Sequence, residues 1–239
     1  MGTSPVMRPQ RWTPPPAPDR ARRTRSAPPL PEPRRIELPG TGPEDVVLTA
    51  DGQVIAGLAD GSVLRIDPSD GTVTTIADTG GRPLGLHADP DGSVLICDAA
   101  RGLLELHPDG SIEVLVDEID GAPLPFVSNV VRDTDGTIYF SASTTRYSLA
   151  EYMGDLLEHS ETGRLFRRDP SGKVQTLLDG LKFANGVVLS PTGPVWWSPK
   201  PRAIGCPAIG SPDRRRAPGI SSSRTFPDSP TISVSAATG

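Results

Sequence analysis

Residues 91–116 read DGSVLICDAARGLLELHPDGSIEVLV. The stretch opens on an Asp-Gly turn (Asp91, Gly92), runs into an apolar strand over 93–97, and reverses into a second strand over 102–106. A further turn at 107–110 leads to a third strand over 111–116. Glycine accepts a positive φ and aspartate bonds its own nearby backbone, so Asp-Gly pairs join strands tightly. The β-branched and alternating content between the turns supports strands.

The same pattern recurs on either side. Asp51-Gly52 lies 40 residues earlier and Asp135-Gly136 lies 44 residues later. Each is followed by a strand (53–58, 137–141) and by a second strand (62–66, 163–167). Turns at 67–71 and 169–172 then lead to third strands at 72–77 and 173–178. A leading strand, such as 46–49, completes each unit. Four strands per roughly 40–50 residues is the blade of a β-propeller. The repeat supplies three blades and, at 186–190, the opening strand of a fourth. The expected fold is therefore all-β, an incomplete propeller of about three and a half blades.

The third unit carries an insertion over 147–159, with Leu149, Tyr152, Met153, Leu156 and Leu157 at helical spacing. Ser148 and Glu151 form a capping-box pattern at its start. Its apolar face is expected to pack on the blade; the alternative is a lid over the central channel.

Composition divides the 239-residue chain into three parts. Residues 1–35 hold ten prolines, eight arginines and two acids, a net charge of +6, and are expected to form a disordered arm. A basic arm that contacts an acidic lipid or partner is the alternative. The middle, 36–195, carries −15, and the tail, 196–239, carries +4. An acidic middle lacks the basic footprint that nucleic acid requires. It suits a solvated surface, or carboxylates gathered near a cation. No apolar run approaches the roughly 18–20 residues needed to cross a bilayer, and the N-terminus has no signal-peptide core. Cys97 and Cys206 are too few for a disulfide framework, and Cys97, in an apolar strand, reads as a buried thiol. The cytoplasm is the expected compartment.

Several segments resemble the strictosidine synthase-like proteins of the adipocyte plasma membrane-associated type, within the wider gluconolactonase, regucalcin and paraoxonase group of six-bladed propellers. They are Gly42-Pro43-Glu44-Asp45, Gly81-Arg82-Pro83-Leu84-Gly85-Leu86, Cys97-Asp98-Ala99 followed by Gly102-Leu103, Phe126-Val127-Ser128-Asn129, Gly136-Thr137-Ile138-Tyr139-Phe140-Ser141, Gly163-Arg164-Leu165 and Leu181-Lys182-Phe183-Ala184-Asn185-Gly186-Val187. Each is weak alone; their order and blade-sized spacing over 36–195 carry the resemblance. It implies an incomplete six-bladed ring and, as in the hydrolase members, a channel calcium ion on side-chain oxygens. By motif position Glu44 resembles the first ligand, Asn185 a ligand from a later blade, and Asn129 the asparagine that contacts metal or substrate. Ca²⁺ takes several hard oxygens at about 2.3–2.6 Å, so that mixture is chemically sound. Taken singly, Glu44 reads as a surface acid and Asn185-Gly186 as a turn.

The sequence also departs from the family pattern. Val130 and Ala142 stand where relatives often place aspartate, and the Pro-Asp-Asn element that supplies a further carboxylate is missing from the middle region. In the tail, 24 of 44 residues are Ser, Pro, Gly or Arg. Shifting each codon one base earlier from Val195 lets Trp196-Trp197-Ser198 encode Val-Val-Val, and Pro199-Lys200-Pro201 encode Ala-Glu-Thr. Residues 223–233 then permit Glu-Asn-Leu-Pro-Gly-Phe-Pro-Asp-Asn-Ile. These segments follow next in the relatives, so the tail is expected to be out of frame and disordered.

The expected chemistry is calcium-dependent hydrolysis of a small-molecule ester or lactone, impaired in the chain as written. The alternatives are amine–aldehyde condensation of the strictosidine synthase type and a non-catalytic scaffold. No catalytic residue is assigned. His87, His107 and His159 are scattered, with no nucleophile triad, phosphate loop, dinucleotide fingerprint or zinc spacing.

Overall fold

The structure is a computed structural model. It describes residues 7–9, 11, 13, 16 and 32–189, with the backbone of 190, 193–196 and 235–236. Three four-stranded antiparallel sheets follow one another along the chain. The first holds Val46–Leu48, Val54–Gly57, Ser62–Ile66 and Val73–Asp78. The second holds Pro83–Ala88, Val94–Asp98, Gly102–Leu106 and Ile112–Val116. The third holds Val127–Arg132, Ile138–Ala142, Gly163–Arg168 and Val174–Leu181. A hairpin of Val187–Ser190 and Gly193–Trp196 opens a fourth. Within each sheet the strands pair in chain order, the meander of a propeller blade.

Stacked blades bury both faces of their middle strands. This is why residues 94–97 of the strand Val94–Asp98 read as an unbroken apolar run rather than an alternating one. Its side chains nonetheless divide with period two. Val94 and Ile96 pack with Ile55, Val63, Leu104 and Leu106 between the first and second blades. Leu95 and Cys97 pack with Val127, Ile138, Phe140 and Phe166 between the second and third. Phe140 and Phe166 stack with centroids 5.0 Å apart. Ile36 and Leu38 cover Val54, Ala56 and Leu64 on the far side of the first blade.

The Asp-Gly turns close as expected. Gly92 has φ +90°, and its N–H reaches the carbonyl of Asp89 at 3.1 Å. Asp91 Oδ1 accepts from Ser93 N (3.0 Å) and Ser93 Oγ (2.7 Å).

The insertion forms a 3₁₀ turn, Leu149–Glu151, and a helix, Tyr152–Glu158. Its expected orientation is overturned. Tyr152, Met153 and Leu157 are 42%, 50% and 44% exposed, while Gly154, Asp155 and Glu158 are buried. The polar side is held by specific partners. Ser160 Oγ donates to Asp155, and Arg146 Nε donates to Glu158 Oε2 at 2.9 Å. Gly154 lets the helix lie against the Tyr147 ring, where a Cβ would come within 2.5 Å. Ser148 Oγ donates to the Glu151 carboxylate at 3.0 Å, but neither side chain caps a helix N–H.

Of the N-terminal arm, Arg8 N donates to Glu158 Oε1 (2.6 Å) and Arg34 Nη1 to the carbonyls of Pro68 and Ser69 (2.7 and 2.8 Å). In the tail, Ser235–Ala236 pairs in parallel with Glu37–Leu38, so this dipeptide departs from the expected lack of structure. The remaining arm and tail expectations lie outside the described residues. No helix among the described residues is long and apolar enough to cross a membrane.

Candidate functional site at the hub

The leading strands of successive blades lie side by side at the hub, and two hydrogen bonds set their mutual register. Asp45 Oδ2 accepts from Leu86 N at 3.0 Å, and Asn129 Oδ1 accepts from Val187 N at 2.8 Å. The two bonds are equivalent, each from one blade to the next. They align Glu44, Leu84, Ser128 and Asn185 in one row, and Asp45, Gly85, Asn129 and Gly186 in the row behind. Glycine is required at 85 because a Cβ there would sit 2.5 Å from the Ser128 carbonyl and 2.6 Å from Asn129 Cα.

This register separates the three expected ligands. Glu44 and Asn185 occupy equivalent positions at the same end of their blades. Asn129 is one residue out of step, and its amide oxygen bonds the neighbouring blade. Its place in the Glu44 row is taken by Ser128, whose Oγ lies 3.5 Å from Asn185 Oδ1. Ser143 Oγ lies 2.9 Å from Ser128 Oγ and 2.8 Å from the Ala184 carbonyl, and Ser141 Oγ donates to the Asn185 carbonyl at 2.7 Å. These buried serines fix the Asn185 segment. Ser141 and Ser143, two residues apart at the end of the second strand of this blade, were the available signal, but the sequence assigned roles only to Glu44, Asn129 and Asn185.

Negative charge gathers around Glu44. Its carboxyl is held above the ordinary value of 4.5, first by the surrounding protein and then by Asp45, with Arg82 pulling the other way. Burial, then Asp45, Glu44 and Asp98, push the Cys97 thiol well up, so it stays protonated and unreactive. No three His, Cys, Asp or Glu side chains among the described residues are close enough to share a metal ion. An ion at this hub would therefore draw on amide oxygens as well as Glu44. In kind the donors fit calcium: a carboxylate whose charge lacks a full counterion, and neutral amide oxygens with a second lone pair.

The histidines stand apart from this row. His87 Nε2 lies 3.6 Å from Asp89 Oδ1, in a network where Arg132 bridges Asp89 and Glu105 at 2.8 Å each. His107 faces Glu113, and His159 ends the inserted helix in a left-handed conformation.

Comparison with known proteins agrees with this architecture. The strictosidine synthase family pattern matches residues 129–196, and the strictosidine synthase-like N-terminal pattern matches 30–66. Protein STRICTOSIDINE SYNTHASE-LIKE 6 of Arabidopsis thaliana is 38% identical over 182 residues, covering 70% of this chain and 49% of that protein. The adipocyte plasma membrane-associated protein of Mus musculus is 35% identical over 177 residues, covering 66% of this chain and 42% of that protein. The chain thus spans about half the length of the curated relatives it matches. A gluconolactonase from Xanthomonas campestris superposes with a TM-score of 0.55 at 21% identity, over 67% of this chain and 55% of that one, which establishes the shared six-bladed propeller fold. The chain carries an incomplete six-bladed propeller and belongs to the strictosidine synthase-like family.

Proposed function

We propose that the family chemistry of this protein is calcium-dependent hydrolysis of esters or lactones at the hub, and that the 239-residue chain as written performs it poorly. One observation carries the reading. Glu44 and Asn185 fall in equivalent positions at the same end of the first and last blades, with Glu44 in excess negative charge. Glu44 and Asn185 would hold the ion, together with whatever the second lone pair of Asn129 contributes. Bound calcium would act as a Lewis acid on the substrate carbonyl. The serines orient Asn185, and Asp45 and Asn129 keep neighbouring blades in register. In the reaction water adds to the carbonyl carbon, the C–O bond to the alcohol breaks, and the departing oxygen takes up a proton.

The proposed impairment follows from the reading frame. The strictosidine synthase match ends at residue 196, where the frame is proposed to slip. Coding DNA across Val195 tests this: codons unable to spell Val-Val-Val and then Ala-Glu-Thr in the shifted frame end the idea. For the chemistry, a frame-restored protein is expected to turn over a lactone or aryl ester only with calcium present. Turnover indifferent to chelation refutes the metal-dependent reading. The strictosidine synthase match also favours a second reading, amine–aldehyde condensation. That reaction requires a carboxylate base to deprotonate an iminium, and product formed from the two substrates by the frame-restored protein would select it.

A further inference from the structure

A cavity of about 280 Å³ opens between the first two blades, at the end away from Glu44. The leading strand of the second blade, Pro83–Ala88, starts in the hub row and runs toward the Asp91-Gly92 turn, and Gly92 lies in the cavity wall. The floor is apolar. Ile55 and Ile76 come from the first blade and Val94 from the second. All three belong to the cluster that joins these blades, with Ile55 and Val94 buried and Ile76 half-buried. The rim is polar, with Arg65 on the first blade and His107 and Asp109 in a turn of the second.

Arg65 and Asp109 are exposed and share this cavity, yet no ion pair among the described residues joins them. Arg65 acts on Asp51 only as a more distant charge. Asp109 Oδ1 accepts from Ser111 N at 2.9 Å and Ser111 Oγ at 2.6 Å, and no donor among the described residues reaches Oδ2. His107 Nε2 lies 3.6 Å from Glu113 Oε2. The rim thus holds one guanidinium and one carboxylate oxygen, both uncommitted, of opposite sign and kept apart above an apolar floor. A molecule that carries a carboxylate, an ammonium and an apolar side chain matches all three features. A guanidinium suits a carboxylate, which it can hold by two parallel hydrogen bonds. The volume falls just under the ~300–1,000 Å³ of ordinary ligand pockets, so the ligand is small.

We propose that this cavity binds a free apolar α-amino acid of about the size of leucine. The carboxylate meets Arg65, the ammonium meets Asp109 Oδ2, and the side chain rests on Ile55, Ile76 and Val94. The bound molecule touches both blades, so it holds their joint at the end opposite the Asp45–Leu86 hydrogen bond. The site is separate from the hub and does not rest on the hydrolase reading. All of its residues precede Val195, so the chain as written and a frame-restored protein carry it alike.

The probe is L-leucine, its methyl signals followed by saturation-transfer difference NMR on titration against the full 239-residue chain. Saturable binding is expected, with L-alanine about tenfold weaker because it leaves the floor uncovered. Two analogues separate the rim charges: 4-methylpentanoate lacks the ammonium and 3-methylbutylamine lacks the carboxylate. Arg65→Gln is expected to weaken leucine and 4-methylpentanoate about fivefold, the upper end for an exposed ion pair, and to leave 3-methylbutylamine unchanged. Asp109→Asn keeps the acceptor for Ser111 and is expected to do the converse, weakening leucine and the amine but not the acid. Glu44→Gln is expected to bind leucine as the wild type does. Arg65 and Asp109 lie on the surface, so both variants should fold, as circular dichroism will verify. No saturable leucine binding by a folded chain, alanine bound as tightly as leucine, or equal losses for all three ligands in either rim variant overturns the proposal. A leucine affinity that falls in Glu44→Gln overturns it too, because the ligand would then sit at the hub.

Discussion

Glu44 holds its proton more tightly in the folded protein than its ordinary value of 4.5 would allow, through burial and then Asp45. In the pH window just above 4.5 the folded state therefore binds more protons than the unfolded one, so stability falls as pH rises through it. Glu44→Gln is expected to flatten that slope in calcium-free urea titrations at a series of pH values; an unchanged slope would mean that Glu44 titrates normally. Calcium should raise the melting temperature more at pH 7 than at pH 5, because protons compete for the same oxygens. Phe183 gives a second residue-scale prediction. Phe183→Ala loses the ring and keeps a side chain at φ +49°, whereas Phe183→Gly loses the ring and relaxes the backbone. The alanine variant should be less stable than the glycine variant by about 1 kcal/mol, the reverse of the usual order in regular structure. Equal midpoints in denaturant would show that the backbone strain is absent. The sequence reading singled out Glu44 and Asn185 from motif position. It could not foresee the left-handed backbones of Phe126 and Phe183, because φ at a blade start is imposed by the joint between two sheets and not by the local residues.

At the scale of elements, the question for Asn129 is whether it serves an ion or the joint between blades. Its oxygen accepts a backbone N–H of the next blade at 2.8 Å, as Asp45 does two joints earlier. Removing such an acceptor leaves a donor unpaired at a partly buried interface, at a cost of about 1–3 kcal/mol. Asn129→Ala is therefore expected to lose about that much stability in calcium-free buffer, read from equilibrium urea unfolding. A variant that matches wild type without calcium and differs only with it would assign Asn129 to the ion instead. The blades themselves were legible: Asp91-Gly92 and its counterparts place positive-φ glycines where strands must reverse, and Val94, Leu95, Ile96 and Cys97 spell a strand covered on both faces. The inserted helix was legible as a helix but not in its orientation. Periodicity identifies one apolar face, but which face turns inward depends on distant partners. Here Arg146 holds Glu158, Ser160 donates to Asp155 and the Tyr147 ring packs on Gly154, which leaves Tyr152, Met153 and Leu157 outside.

For the molecule as a whole, the three blades bury two complete interfaces and present two incomplete ones. On the leading strand of the first blade Val46 and Leu48 are 44% and 64% exposed, and on the opening strand of the fourth Val188 is 52% exposed. In a closed ring the side chains at these positions lie between blades: Leu86 and Val130, equivalent to Val46, are buried here, and Val47 and Val131, equivalent to Val188, pack against apolar clusters. Apolar burial contributes about 25 cal/mol per Å², so open faces forgo stabilisation that the inner joints possess and also offer a surface for association. The expected outcome is that the 239-residue chain melts broadly and self-associates with rising concentration, while a frame-restored protein melts in one sharp transition as a monomer. Differential scanning calorimetry paired with sedimentation velocity over a concentration series distinguishes the two. Should the chain as written already be a sharply melting monomer, Val46, Leu48 and Val188 must be covered by its own remaining residues. The proposed slip at Val195 would then have no physical consequence for folding, and the impairment attached to it would fall with it.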